Sequence, residues 1–405
     1  MSDVESGSGV EGLSPELAPP SEERGHIPAL DGVRAIAILM VIVFHCRFVG
    51  LIPPNGDLVD RTTGIGWAGV DLFFVLSGFL ITGLLLDAKG GDGYFRSFYA
   101  RRFLRIFPPY YGFLVAYCII LPRIGAVGLQ VPADYHHWGW NFWTYTVNFA
   151  MARSGNFSSA SVAIAWSLAI EEQFYLVWPL VVLTLSRRAL MRLCVVLMAA
   201  AFLFRLALIA THASWLAVYT LTPARMDTLA AGAFLAALAR GPARRPVVAG
   251  RARAVAVLAG LTVLGLAVTG DGPFVKGKAM QLVGYSALAL LFAALLWLAV
   301  EASPRAWSAR LLSSKVMRAV GRYSYTMYLF HYAIILALAS RVVSPPHLQS
   351  IAGSLLLAEA TWTMLVVTTT FAAAFVSFHV YEKHFLKLKR YFPMPRPASS
   401  GSRSG

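Results

Sequence analysis

Apolar runs of roughly 17 to 25 residues recur along almost the whole chain, and no other feature restricts its fold so strongly. A hydrocarbon layer about 30 Å thick calls for a helix of about 20 residues, at about 1.5 Å per residue. Soluble core helices have no reason to repeat that length. Backbone amides in lipid must be satisfied within their own segment, which leaves the helix as the form such runs take. Composition agrees, with 57% of the 405 residues hydrophobic and only 14% charged. The expected fold is all-α, a polytopic membrane helical bundle of about ten transmembrane helices. Spans are placed at 29–50, 66–88, 104–122, 164–186, 190–210, 222–239, 253–269, 279–300, 319–340 and 355–381. A single membrane domain, 27–390, is expected between disordered tails at 1–26 and 391–405, which are rich in Ser, Gly and Pro. The first tail lacks the basic and apolar regions of a cleaved signal. Residues 141–150, "WNFWTYTVNF", are too short and polar to cross and suit an interfacial or re-entrant element.

The net charge of +15 raises the question of a nucleic-acid partner. Its distribution answers it. Of the 35 Lys and Arg, 25 lie in the two tails and in the loops after spans 2, 4, 6 and 8, seven on the opposite side and three within spans. Cytoplasmic loops carry such an excess, so both termini are expected in the cytoplasm of a bacterial-type inner membrane, with lipid rather than nucleic acid as the partner. Three scattered cysteines, Cys46, Cys118 and Cys194, give no disulfide framework and no metal-ligand pattern.

Several spans carry ionisable residues, each costing on the order of 2–3 kcal/mol in lipid, so such groups face protein or a wet cavity. In the first span Asp31, Arg34 and His45 share one helix face, with His45 about 16 Å along the axis from Arg34. Asp31 and Arg34 also fit a simple cap and anchor. Asp71, early in "GVDLFFVLSGFLI", is expected at the depth of His45, where a carboxylate would orient the imidazole. Ser77 and Gly78 in the same span suit close helix packing. Arg102 and Arg105 of "RRFLRIFPPYY" are neighbours at i and i+3, fitting either membrane anchoring or a fork for an anionic ligand. Glu171 and Glu172 in "WSLAIEEQFYL" point about 100° apart, so at least one faces the interior. Arg225 with Asp227 reads as a structural ion pair, and Tyr328 with His331 marks a further polar intrusion.

Taken in order, Arg34-x10-His45, "GVDLFFVLSGFLI", "RRFLRIFPPYY", "WSLAIEEQFYL", "RMDTLAAGAF" and "YSYTMYLFH" resemble the acyltransferase-3 family of integral membrane acyltransferases, over residues 28 to about 385. That resemblance implies transfer of an acyl group, most often acetyl, from acyl-CoA to a hydroxyl, with no metal. It implies a saccharide acceptor of the cell envelope or an exopolysaccharide, or else a macrolide or other glycosylated secondary metabolite. By matched position His45 is the essential histidine, Arg34 its motif partner, Arg102 and Arg105 the coenzyme A pair, and Glu171 the motif glutamate. The expected chemistry has His45 as base, oriented by Asp71 or Glu171, with the donor entering from the cytoplasm and the acceptor from outside. The chain is expected to be the stand-alone form, without an added hydrolase-like domain. A proton-coupled transporter would bury the same residue types but should show broken helices and inverted repeats. A membrane scaffold would not need so many intramembrane charges. Acceptor identity, acyl length and oligomeric state are not legible.

Overall fold

The computed structural model describes residues 27–48, 63–123, 135–157, 162–242, 245–269, 275–343 and 345–395, and among them every regular element is helical. Helix α1 (Pro28–Phe48) is followed by α2 (Gly69–Ala88), entered through a 3₁₀ turn at Gly64–Ala68, and by α3 (Tyr94–Leu114). Two short helices, α4 (Tyr135–Trp143) and α5 (Val147–Ser154), precede α6 (Ala165–Thr184), α7 (Arg187–Ala210), the short α8 (Trp215–Thr220) and α9 (Thr222–Ala239). Then come α10 (Arg245–Thr269), α11 (Tyr285–Val300), the short α12 (Trp307–Leu312), α13 (Lys315–Arg341), α14 (Pro345–Ala352) and α15 (Leu355–Ser377).

Local sequence explains many of the ends. Asp31 in the first turn of α1 complements the helix dipole. Ser186, Ser214, Ser314 and Ser354 each cap a helix by accepting the amide three residues on. Pro108 and Pro109 lie within α3, and hydroxyls from other helices bond carbonyls there: Tyr325 donates to Ile106 (3.0 Å) and Tyr381 to Pro108 (3.3 Å).

Small residues set the closest approaches. Gly78 of α2 lies on the backbone of Leu229 in α9, and Gly232 of α9 on the backbone of Val75 in α2. A methyl group at either would collide, so α2 and α9 meet backbone to backbone. Gly321 of α13 lies in the same way on the carbonyl of Asp31, locking α13 to α1.

A helix covers each of the ten expected segments, but apolarity alone supports fewer crossings. Seven helices are long and apolar enough to span a membrane, and an eighth is reached if Lys315–Ser340 and Pro345–Ile351 count as one broken span. The expected ten thus stands at seven or more. The physical reason is visible in α6 and α9, whose Glu171, Glu172, Arg225 and Asp227 lower their hydropathy while neighbouring helices, rather than lipid, cover much of their surface.

The 141–150 segment is a turn between two short helices, with Tyr145 at positive φ. It packs on α3 and α6: Tyr111 stacks on Trp143, Tyr145 stacks on Tyr110, and Gln173 donates to the Tyr145 carbonyl (2.9 Å). The three cysteines are buried, and none forms a disulfide among the described residues. Of the expected tails, 1–26 and 396–405 lie outside the described residues. Residues 391–395 are described, and Arg101 donates to the carbonyls of Lys389 and Phe392.

Candidate active site

Five helices bring polar side chains to one cavity of about 120 Å³. Arg34 comes from α1, Ser77 from α2, and Arg102 and Arg105 from adjacent turns of α3. From α6 come Ser167 and Glu171, four residues apart and so on one face; Tyr325 and Tyr328 come from α13. The sequence stripes of α1, α3 and α6 therefore do meet in space.

Three guanidinium groups against one lining carboxylate make the cavity cationic. Arg34 is held by Asp31 at 2.8 Å. The hydroxyl of Ser77 donates to Glu171 and accepts from Tyr175 at 3.0 Å. Over the Tyr175 ring stands the Arg102 guanidinium, 5.8 Å from its centre, and its Nε is buried with no hydrogen-bond partner among the described residues. Such a cluster is suited to a phosphate, because guanidinium groups present planar, permanently charged donors. On the far side Tyr328 closes the cavity, its hydroxyl 2.7 Å from that of Ser167.

Beyond Tyr328 lies a pair of histidines. Nδ1 of His331 is 2.7 Å from the Tyr328 carbonyl, and Nδ1 of His45 is 2.9 Å from the Val41 carbonyl. A carbonyl only accepts, so each Nδ1 bears the hydrogen. Nε2 of neutral His331 is then an acceptor, 3.2 Å from Nδ1–H of His45. Both faces of the interaction agree, and the lone pair of His45 is left on Nε2. The His45 ring is half-buried, flanked by Phe44 and Tyr332.

Two sequence expectations need correction. Asp71 does not orient His45. It is fully buried in an ion pair with Arg225, and the group beside His45 is His331. Nor does Arg225 pair with Asp227, since residues two apart on a helix diverge by about 200°. Asp227 pairs with Arg205 at 2.8 Å, and the Ser286 hydroxyl accepts from Arg205 (2.6 Å) and donates to Asp227 (3.2 Å). The Arg225 guanidinium lies 4.3 Å from the centre of the Tyr285 ring. His45 and the arginine cavity are also not one pocket: Tyr328 and the length of α1 separate them.

Glu172, turned away from Glu171, lines a different recess between α3, α6 and the Tyr145 turn. Sequence reasoning missed Arg205, Ser167, Tyr175 and Tyr325 as members of these clusters, and gave Ser77 only a packing role. Ser167 and Tyr175 sit one turn either side of Glu171, and that spacing was the available signal. Among the described residues no three His, Cys, Asp or Glu side chains are grouped as metal ligands.

Comparison with known proteins bears on this geometry. A family model described as an acyltransferase domain, that of acyltransferase 3, matches residues 27–381. The peptidoglycan O-acetyltransferase OatA of Listeria monocytogenes is 30% identical over 328 residues, covering 77% of this chain and 50% of the relative. The O-acetyltransferase OatA of Staphylococcus aureus is 30% identical over 346 residues, covering 78% and 52%. A putative peptidoglycan O-acetyltransferase, YrhL of Bacillus subtilis, is 37% identical over 169 residues, or 40% and 24%. The chain thus spans about half the length of the first two relatives. No solved structure matches.

Proposed function

The chain belongs to the acyltransferase-3 family, and from that premise we propose that it is a multi-pass membrane O-acyltransferase that moves an acetyl group from acetyl-CoA to a hydroxyl of a cell-envelope saccharide. The observation that carries this reading is the placement of His45, its Nδ1 lying 2.9 Å from the Val41 carbonyl and 3.2 Å from Nε2 of His331, which assigns the ring hydrogen to Nδ1. With Nδ1–H committed to Val41 and His331, Nε2 is an unprotonated base on a helix whose other polar end lines the cationic cavity.

In this reading Arg34, Arg102 and Arg105 hold the phosphates of coenzyme A, and its thioester arm is directed along α1 toward His45, a path that opens only when the Tyr328 side chain, which closes the cavity, moves aside. Nε2 of His45 takes the proton of the acceptor hydroxyl as its oxygen bonds to the thioester carbonyl carbon. The carbon–sulfur bond breaks, and the departing thiolate takes the proton back from His45. His331 steadies the transient imidazolium by accepting from its Nδ1–H. Glu171, held by Ser77, offsets part of the cationic charge and orders the hydroxyls on the donor's path. The excess of Lys and Arg in the adjoining loops supports a mouth at Arg102 and Arg105 on the cytoplasmic side. Ten crossings with both termini in the cytoplasm are part of the same proposal.

The test is coenzyme A release by purified protein given acetyl-CoA and a peptidoglycan-type saccharide, with mass spectrometry of the saccharide. An added acetyl mass that disappears in His45→Ala supports the reading. Transfer at the wild-type rate by a folded His45→Ala protein excludes it.

A further inference from the structure

Tyr328 does two things with two different groups. Its side chain closes the donor cavity on the side of His45, and its carbonyl lies 2.7 Å from Nδ1 of His331, the ring beside His45. A ring can swing about its own side-chain bonds while a helical carbonyl stays in place. The cavity can therefore open without disturbing the histidine pair. What holds the ring across the path is a chain of hydroxyls. Tyr328 Oη is 2.7 Å from Ser167 Oγ, and Ser167 donates to the Ile164 carbonyl at 3.1 Å. A serine has one hydrogen to give, so its oxygen accepts from the phenol. Tyr328 Oη also lies 3.2 Å from that same carbonyl, a longer second contact.

The fixed end of this chain is main chain: Ile164 is the N-cap of α6, the helix that carries Glu171 one turn after Ser167. Ser167 and Tyr328 are both buried, so bulk water does not compete for the bond between them. The mechanism gives neither hydroxyl a chemical step, yet it leaves a task for them. A thioester beside a base is open to water as well as to a saccharide. The oxygen of water would bond to the carbonyl carbon, its proton would pass by way of His45 to the departing thiolate, and acetate and free coenzyme would leave with nothing acetylated. A closed site prevents that loss by keeping water out.

We propose that Ser167 is a positioning residue: it latches the Tyr328 ring across the thioester's path, and the latched ring keeps water on the histidine side from the donor. This rests on the donor and the base lying where the enzymatic reading puts them. A single hydrogen bond between neutral hydroxyls suits a gate, since it favours the closed ring yet is weak enough to break at every turnover. Because the Tyr328 carbonyl stays with His331, the base remains oriented whether the ring is latched or swung.

The experiment asks which side can reach the cavity. Ser324 lines it one turn before Tyr328 on α13, so Ser324→Cys puts a thiol on the donor side of the ring. The full chain, in vesicles in one orientation, meets a membrane-impermeant anionic methanethiosulfonate from the arginine side or the histidine side, with the chain lacking Ser324→Cys as background. From the arginine side the rate should not depend on the latch. From the histidine side it should rise about three- to tenfold when Tyr328→Phe is added, in line with one lost hydrogen bond. Ser167→Ala, which leaves the longer contact to Ile164, should give a smaller rise. The double variant should match Tyr328→Phe, because without the phenol the serine has nothing to hold. None of this needs acyl transfer, so its failure is separate from failure of the enzymatic reading. With acetyl-CoA and no acceptor, Tyr328→Phe should release coenzyme A faster by a similar factor, and the pH profile of transfer should stay that of wild type; a hydroxyl that only stabilised the fold would not raise hydrolysis. An unchanged rate from the histidine side in Tyr328→Phe overturns the proposal. So do additive effects of the two latch substitutions. Should Ser167→Ala fail to fold, the Tyr328→Phe rates decide alone.

Discussion

Two arginine clusters lie inside this bundle, and they differ in what their charges face. Around Arg205 and Arg225, each guanidinium has its own carboxylate, both arginines are wholly buried, and α2, α7, α9 and α11 close over them. Around Arg102 and Arg105, three guanidinium groups line a cavity with a single lining carboxylate, Glu171, while Asp31 pairs with Arg34 from outside the lining. The first arrangement balances its own charge and ties helices together, although Asp71 Oδ2, Arg205 Nε, and Nε and Nη1 of Arg225 have no hydrogen-bond partner among the described residues. The second is incomplete without an anion. Intramembrane charge by itself therefore does not mark a site; unbalanced charge beside a cavity does.

Breaking each cluster should separate these roles. The largest effect expected is on catalysis: His45→Ala should lower transfer by about 10²–10⁴-fold, the usual contribution of a general base, while leaving thermal unfolding in detergent unchanged. Next is Arg225→Met, which strands Asp71 in the interior. It should destabilise the fold by about 3–5 kcal/mol, read as a lower unfolding temperature or loss of monodisperse protein. Restoring balance with Asp71→Asn in the same chain should recover much of that loss. Arg102→Ala should do the reverse, weakening donor binding about ten- to a hundredfold with little change in unfolding temperature, in line with a lost charge-assisted contact worth about 1.5–3 kcal/mol. The smallest effect expected is that of Ser77→Ala, which removes one hydrogen bond to Glu171 and should cost a few-fold in turnover, in line with a net worth of about 0.5–1.5 kcal/mol. If Arg102→Ala unfolded the protein as Arg225→Met does, the contrast between the clusters would be lost.

The sequence carried much of this. Apolar run length located the helices, and helical stripes brought Arg34, Arg102, Arg105 and Glu171 to one cavity. Pairing between helices was the part it did not carry. Asp71 meets Arg225 154 positions away, and His45 meets His331 286 positions away, so no local spacing points to either. The nearness of Arg225 and Asp227 in sequence pointed to the wrong pair, because a two-residue step on a helix turns side chains apart. Hydropathy likewise leaves α6 and α9 outside the seven apolar helices, because their charged residues lower it while neighbouring helices cover much of their surface.

Donor binding measured separately from transfer tests the central claim most directly. Titration of acetyl-CoA into wild type, His45→Ala and the Arg102→Ala/Arg105→Ala double variant should find wild-type affinity in the histidine variant, despite its greatly lowered transfer, and no saturable binding in the arginine variant. Loss of donor affinity in His45→Ala, or its retention in a folded double-arginine variant, would contradict the division of the site into a cationic donor cavity and a histidine base beyond Tyr328.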